Sequence, residues 1–151
     1  MIIEVQSETG MKALGGKLGA LLNGGEVIEL IGDVGAGKTT LTKGVAAGLG
    51  IDEDVQSPSF TISRVYDARD GLQLAHYDFY RLSDAGIMAA ELHETASDPR
   101  TVTIIEWAEI VGGVLPDDRL SVRIASPSES LRRVELTAGG SKSEGLLGKL
   151  A

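Results

Sequence analysis

The chain opens with a short apolar run, MIIEVQ, after which Met11, Leu14, Leu18, Leu21 and Leu22 recur at three- and four-residue steps until Asn23-Gly24-Gly25 interrupts them. That order predicts a strand, an amphipathic helix and a turn. EVIELIG, Glu26 to Gly32, predicts a strand that delivers a glycine-rich loop, and Lys38 to Leu49 predicts the helix leaving that loop, stopped by Gly50. From Phe60 to Tyr80 two extended stretches, FTISRVYDAR and LQLAHYDFY, flank Asp70-Gly71, a dipeptide suited to a tight hairpin turn. Ser83 to Leu92 predicts a helix capped by Ser83, and Thr95 to Arg100 a polar loop containing Pro99. TVTIIEW, Thr101 to Trp107, has the continuous apolar character of a strand buried on both faces of a parallel sheet. RLSVRIA and LRRVELTA predict later strands separated by Ser126-Pro127-Ser128, and the glycine-rich segment 139–151 predicts a flexible tail.

Composition narrows the class. A length of 151 residues fits one domain and is too short for a nucleotide domain with a separate substrate domain. Hydrophobic residues at 42% and charged ones at 24% predict an ordered globular protein. Acidic side chains outnumber basic ones 22 to 14, and phosphate-backbone binding needs cations, so bulk nucleic-acid binding by this chain alone is disfavoured. The absence of cysteine removes disulfides, thiol catalysis and Cys-ligated zinc, and agrees with a cytoplasmic location. Nothing near Met1 reads as a basic segment followed by an apolar one, and no apolar run approaches the ~20 residues that cross a bilayer, so neither export nor membrane insertion is expected.

The chemistry sits at the second strand–helix junction, after EVIELIG. Gly32-Asp33-Val34-Gly35-Ala36-Gly37-Lys38-Thr39 satisfies G-x-x-x-x-G-K-[ST], with the strand before and the helix after that the pattern requires. Glycines let the backbone curl so that successive N–H groups face a phosphate, and the helix adds its free amides and positive dipole end. Lys38 is placed to reach the β- and γ-phosphates and the Thr39 hydroxyl to ligate Mg²⁺. A dinucleotide fingerprint starting at Gly35 fails because Thr40 stands where a third glycine is needed. Such a loop also needs a carboxylate at a neighbouring strand end to hold the metal or its water. Glu106, closing VTIIE, and Asp78, closing LQLAHYD on one face with Leu72, Leu74 and His76, both qualify; either is otherwise a solvated strand-end acid. His76 alone reads as a packed strand histidine, and Trp107 as an amphipathic residue at the core edge. No D-x-x-G follows the loop and no N/T-K-x-D motif is present, which favours ATP over GTP. A small-molecule kinase would need an arginine-bearing lid, whereas Arg64, Arg69 and Arg81 are scattered.

Gly32 to Thr40, SPSFT, HYDFYRL and IIEW, in this order, resemble the TsaE family of small bacterial ATPases, formerly YjeE, over roughly Ser7 to Leu136. The resemblance implies a single α/β P-loop NTPase domain over 1–138, its mostly parallel central sheet carrying antiparallel additions flanked by helices. It implies ATP held by Asp33, Gly35, Ala36, Gly37, Lys38, Thr39 and Thr40, with weaker carry-overs at Ser7 near the base and Arg132 close to the nucleotide. Ser57 to Thr61 becomes a switch-like segment near the γ-phosphate, Asp78 a residue that positions water or the metal's water shell, and Glu106 a second Mg²⁺ ligand beside Thr39. Lys38, Asp78 and Glu106 are thus the catalytic candidates. Met11, where many members have a hydroxyl residue, and ELHETASDPR, which lacks a usual glycine-containing segment, depart from the pattern and bear on base contact and partner docking.

Family membership further implies work in tRNA threonylcarbamoyladenosine synthesis. There the ATPase binds TsaD and TsaB, resets that complex between cycles and leaves the tRNA chiefly to its partners. An acidic chain suits that division, and hydrolysis by the isolated protein is expected to be slow. The alternatives are a small-molecule kinase and a nucleotide-dependent binding module whose hydrolysis times release.

Overall fold

Apolar runs such as VIELI and TVTIIE bury both faces only when helices cover both sides of a sheet, and the chain adopts that arrangement. The computed structural model describes all residues except 34, 57, 59–61, 81, 83–85 and 112. The strands are β1 (Ile2–Val5), β2 (Val27–Ile31), β3 (Ser63–Asp67), β4 (Gln73–Asp78), β5 (Thr101–Glu106), β6 (Leu120–Ala125) and β7 (Arg132–Ala138), and the helices α1 (Glu8–Leu21), α2 (Lys38–Gly48), α3 (Gly86–Ala96) and α4 (Ser141–Leu150). The described strands form one seven-stranded sheet in the order β1-β7-β6-β2-β5-β4-β3. Its centre, β6-β2-β5-β4, is parallel. Antiparallel strands finish both edges, β3 on β4, and β7 then β1 beyond β6. The α/β class and the antiparallel additions are as the sequence predicts.

Side-chain alternation divides the core. Ile28, Leu30, Ile104 and Val122 face a layer that includes Met11 and Leu18 of α1, Leu41 and Val45 of α2, and Leu146 and Leu150 of α4. Val27, Ala75, Tyr77 and Ile105 face the other side with Leu92 of α3, Val111 and Leu115. Within the first layer α1 and α2 meet backbone to backbone. A methyl group at Gly19 would overlap the Val45 carbonyl oxygen, and one at Gly44 the Lys12 carbonyl oxygen, so only glycine permits this approach. The contact lays the start of α1 over the loop before α2: Met11 Cε lies 3.2 Å from where a side chain on Gly37 would begin.

The hairpin follows its sequence signal. Asp70 (φ 58°) and Gly71 (φ 74°) both adopt the left-handed conformation that a tight turn of this kind demands. Arg69 at the same turn donates from Nη2 to the carbonyls of Gly19, Ala20 and Leu22 at 3.2, 3.2 and 2.9 Å, adding to the Leu22 N–H that also bonds the Gly19 carbonyl at the end of α1. Phe60 and Thr61, and the proposed cap Ser83, lie outside the described residues. Helix α3 runs through Ala96, past the Thr95 where a loop was expected, because Glu94 and Thr95 fit a helix as well as a loop and its end is set by Ser97, whose N–H and hydroxyl both donate to the His93 carbonyl.

The flexible tail is the larger correction. Residues 141–150 form α4, with Leu146 and Leu150 buried against the core, so 138 is not the edge of the folded unit. Glycines interrupt its four-residue apolar spacing, Leu146 to Leu150, and its anchor is remote in sequence. The Asp118 carboxylate accepts from the Ser143 hydroxyl (2.6 Å), the Ser143 N–H (3.1 Å) and the Lys142 N–H (2.9 Å), doing the work of a helix cap. Lys142 Nζ also donates to the Gly24 carbonyl at 2.9 Å. No described helix is long and apolar enough to cross a membrane.

These bonds, the Ser143 hydroxyl foremost and its N–H next, hold the Asp118 carboxyl below the usual carboxylate range. A lowered folded-state pKa means the stabilisation is present above the unfolded value, about 3.9, and is lost as pH falls through the folded one. Asp118→Ala is therefore expected to lose about 1 kcal/mol at neutral pH. Chemical denaturation at pH 7 and in acid checks this: the gap between variant and parent must shrink on acidification.

Candidate functional site

Parallel strands bring their carboxyl ends to one edge, and three of them set the site. Glu106 at the end of β5 is in register with Leu30 of β2 on one side and Asp78 of β4 on the other, so the two candidate acids stand side by side beneath the loop that follows β2. The loop turns through Gly35 (φ 82°) and Gly37 (φ 112°), conformations closed to most side chains. Gly37 caps α2 with no side-chain hydrogen bond, and among the described residues the helix's first amides have no side-chain partner at the cleft wall.

Lys38, the first residue of α2, turns back under this loop. Its Nζ donates to the Gly32 carbonyl at 2.7 Å, lies 3.9 Å from Glu106 Oε1, and sits 4.1 Å above the centre of the Trp107 ring. Lys38 and Glu106 are 6% and 3% exposed, so the two charges sustain one another in a site that would penalise either alone. The other Glu106 oxygen, Oε2, is 2.7 Å from Nε2 of the fully buried His76. Trp107 reaches over the lysine because its backbone leaves β5 with φ 57°, a left-handed turn for a bulky residue, and the Tyr80 ring packs against it at a tilt of 53° with ring centres 4.9 Å apart. Asp78 accepts from the Tyr80 N–H at 3.0 Å, which orients its carboxylate at the strand end.

Around these groups lies a cleft of about 540 Å³. Ser7, Gly35, Ala36, Gly37, Lys38, Thr39, Thr40, Asp78, Glu106 and Arg132 all line it, so the structure collects nearly every residue singled out in the sequence. Asp33 is the exception: it lines a neighbouring hollow of about 380 Å³ with Glu109 and Arg123, sharing only Ala36, Lys38 and Trp107 with the main cleft. Ser7 doubles as the cap of α1, its hydroxyl accepting from the Gly10 N–H at 3.0 Å. Arg132 gathers the β6–β7 connection through Nη1, donating to the carbonyls of Ser128, Glu129 and Leu131. Of the SPSFT segment only Pro58 is described, and Arg81 lies outside the described residues.

Sequence reasoning missed three features of the site. The His76–Glu106 contact joins residues 30 apart whose only signal was that His76 shares a strand face with Asp78. The stacking of Trp107 on Lys38 depends on a backbone turn that no local pattern announces. Gln6, Glu8, Glu129 and Ser130 complete the rim from two segments that meet only in the fold. Among the described residues no group of three or more His, Cys, Asp or Glu gathers as an all-protein metal site.

Similar proteins identify the family. The family model for "Threonylcarbamoyl adenosine biosynthesis protein TsaE" matches residues 5–134. The Streptomyces coelicolor protein called tRNA threonylcarbamoyladenosine biosynthesis protein TsaE is 39% identical over 137 residues, 87% of this chain and 93% of that one. Its Bacillus subtilis namesake is 39% identical over 145 residues, 93% of this chain and 87% of that one. The crystal structure of Bacillus subtilis YdiB superposes with a TM-score of 0.82 at 34% identity, covering 99% of this chain and 93% of that chain. A seven-stranded sheet that puts the glycine loop, the buried lysine and the two strand-end acids into one cleft thus comes with a sequence match across most of its length, and the chain belongs to the TsaE family.

Proposed function

We propose that this protein hydrolyses ATP with Mg²⁺ in tRNA N6-threonylcarbamoyladenosine modification, acting in the cytoplasm in complex with TsaD and TsaB and resetting that complex between cycles. The observation that carries the reading is the convergence of Lys38, Thr39, Asp78 and Glu106 on one cleft under a glycine loop. The loop amides and the start of α2 would bind the β- and γ-phosphates, and Lys38 would exchange the Gly32 carbonyl for a phosphate oxygen, a stronger, charge-assisted partner. Thr39 and Glu106 offer a hydroxyl and a carboxylate oxygen, a donor set that fits Mg²⁺, which takes few protein ligands and completes its shell with phosphate and water. Bound there, the ion would neutralise charge that builds on the phosphate oxygens. Asp78, beside Glu106 at the strand ends, would position the attacking water, while Ser7 and Arg132, which also line the cleft, would face the nucleoside.

One feature of the same site supports partner dependence. Arg132, the arginine of the described rim, has Nη1 committed to three backbone carbonyls, so further organisation for phosphoryl transfer is left to the partner complex. The net charge of −8 favours leaving tRNA mainly to those partners.

Phosphate release by the purified chain, alone and with TsaD and TsaB from the same source, tests the reading: slow turnover alone that rises on their addition is expected. Rapid turnover alone, or no rise with partners of proven activity, contradicts it. Lys38→Ala removes one charge-assisted phosphate contact, about 1.5–3 kcal/mol, and should weaken ATP binding at least about 10-fold by calorimetry. An unchanged affinity rules out the loop as the triphosphate site.

A further inference from the structure

His76 has no assigned part in this chemistry, yet it occupies a place where an apolar side chain would be cheaper. The ring is 0% exposed and its Nδ1 has no hydrogen-bond partner among the described residues. A stranded ring nitrogen carries a desolvation penalty that leucine or methionine would avoid. What the ring has in return is the 2.7 Å contact from Nε2 to Glu106 Oε2. A carboxylate oxygen only accepts, so the bond requires the hydrogen on Nε2, which in the neutral ring is the tautomer with the lone pair on Nδ1. The other tautomer would bury an unpaired N–H and set a lone pair against Oε2.

The geometry points to His76 as a positioning residue for Glu106, an inference that rests on the reading of Glu106 as a Mg²⁺ ligand. The Nε2–H ties the carboxylate down by Oε2 and leaves Oε1, the oxygen on the Lys38 side, as the one presented to the cleft. The sheet register makes this possible. Asp78 lies opposite Glu106 and His76 opposite Ile104, so β4 sets an acid beside Glu106 at the rim and a donor beneath it on the same face. Once Lys38 turns to a phosphate, His76 is the partner that keeps Glu106 from rotating its charge away from the metal. Hydrogen bonds to a metal-binding side chain act in this way, fixing the ligand atom before the ion arrives, and their loss typically weakens metal affinity 10–100-fold.

The test is ATP affinity by calorimetry across a Mg²⁺ series and in excess chelator, on the parent protein, His76→Leu, His76→Gln and Glu106→Gln. His76→Leu is expected to raise the Mg²⁺ concentration for half-maximal effect about 10-fold or more while chelator affinity is unchanged, and His76→Gln, whose amide can still donate, to recover most of the shift. A Mg²⁺ profile in folded His76→Leu identical to the parent's overturns the inference. Glu106→Gln separates the two readings: if it too leaves the Mg²⁺ profile unmoved, the metal assignment is wrong and the role of His76 falls with it. If Glu106→Gln moves the profile and His76→Leu does not, only the role of His76 falls. Should His76→Leu fail to fold, the parent decides. It has two histidines, so ¹⁵N spectra of labelled imidazoles can be assigned, and an Nε2–H tautomer protected from exchange is expected for His76. The Nδ1–H tautomer would overturn the inference.

Discussion

The buried carboxylate of Glu106 is the constraint around which the site is built. A carboxylate that is 3% exposed is tolerated only with partners, and the protein supplies one for each oxygen, Lys38 near Oε1 and His76 at Oε2. Those partners come from different parts of the chain, the lysine from the start of α2 and the histidine from β4. One acid thereby couples the glycine loop to the sheet beneath it. The same arrangement holds Lys38 close to where it is needed, since a side chain already bonded to the loop's own carbonyl has a short path to a phosphate.

That coupling is useful only if the loop itself is held, and the helix pair does this. Because Gly19 and Gly44 allow α1 and α2 to touch through their backbones, α1 cannot slide without displacing α2, whose first turn ends the loop. Arg69 then binds the far end of α1 to the hairpin, and the hairpin continues into β4, which carries His76 and Asp78. The cleft wall formed by Ser7 and Met11 and the wall formed by Asp78 and Glu106 therefore belong to one closed mechanical circuit.

What could be read from the sequence was what is local. The strand, glycine loop and helix from Glu26 to Leu49 lie in one contiguous stretch with its own spacing, and the Asp70-Gly71 turn needs only the two residues that form it. Both strand-end acids were legible because each closes an apolar run. The remainder depends on residues that are distant along the chain. Asp118 caps a helix that starts at Ser141, so the segment 139–151 looked like a loose glycine-rich end when viewed alone. His76 acquires its significance only when β4 and β5 pair, and Trp107 only when the backbone turns left-handed after Glu106.

Trp107 is the chain's single tryptophan and it lies directly on the Lys38 ammonium, so its emission reports the position of the lysine. An equilibrium titration of that fluorescence with ATP and with AMP is the most direct test of the account. If the lysine leaves the ring for the phosphates, ATP must change the emission saturably while AMP, which lacks the β- and γ-phosphates, leaves it unchanged. ATP binding that is proven by calorimetry but leaves Trp107 silent would mean that the triphosphate is held elsewhere.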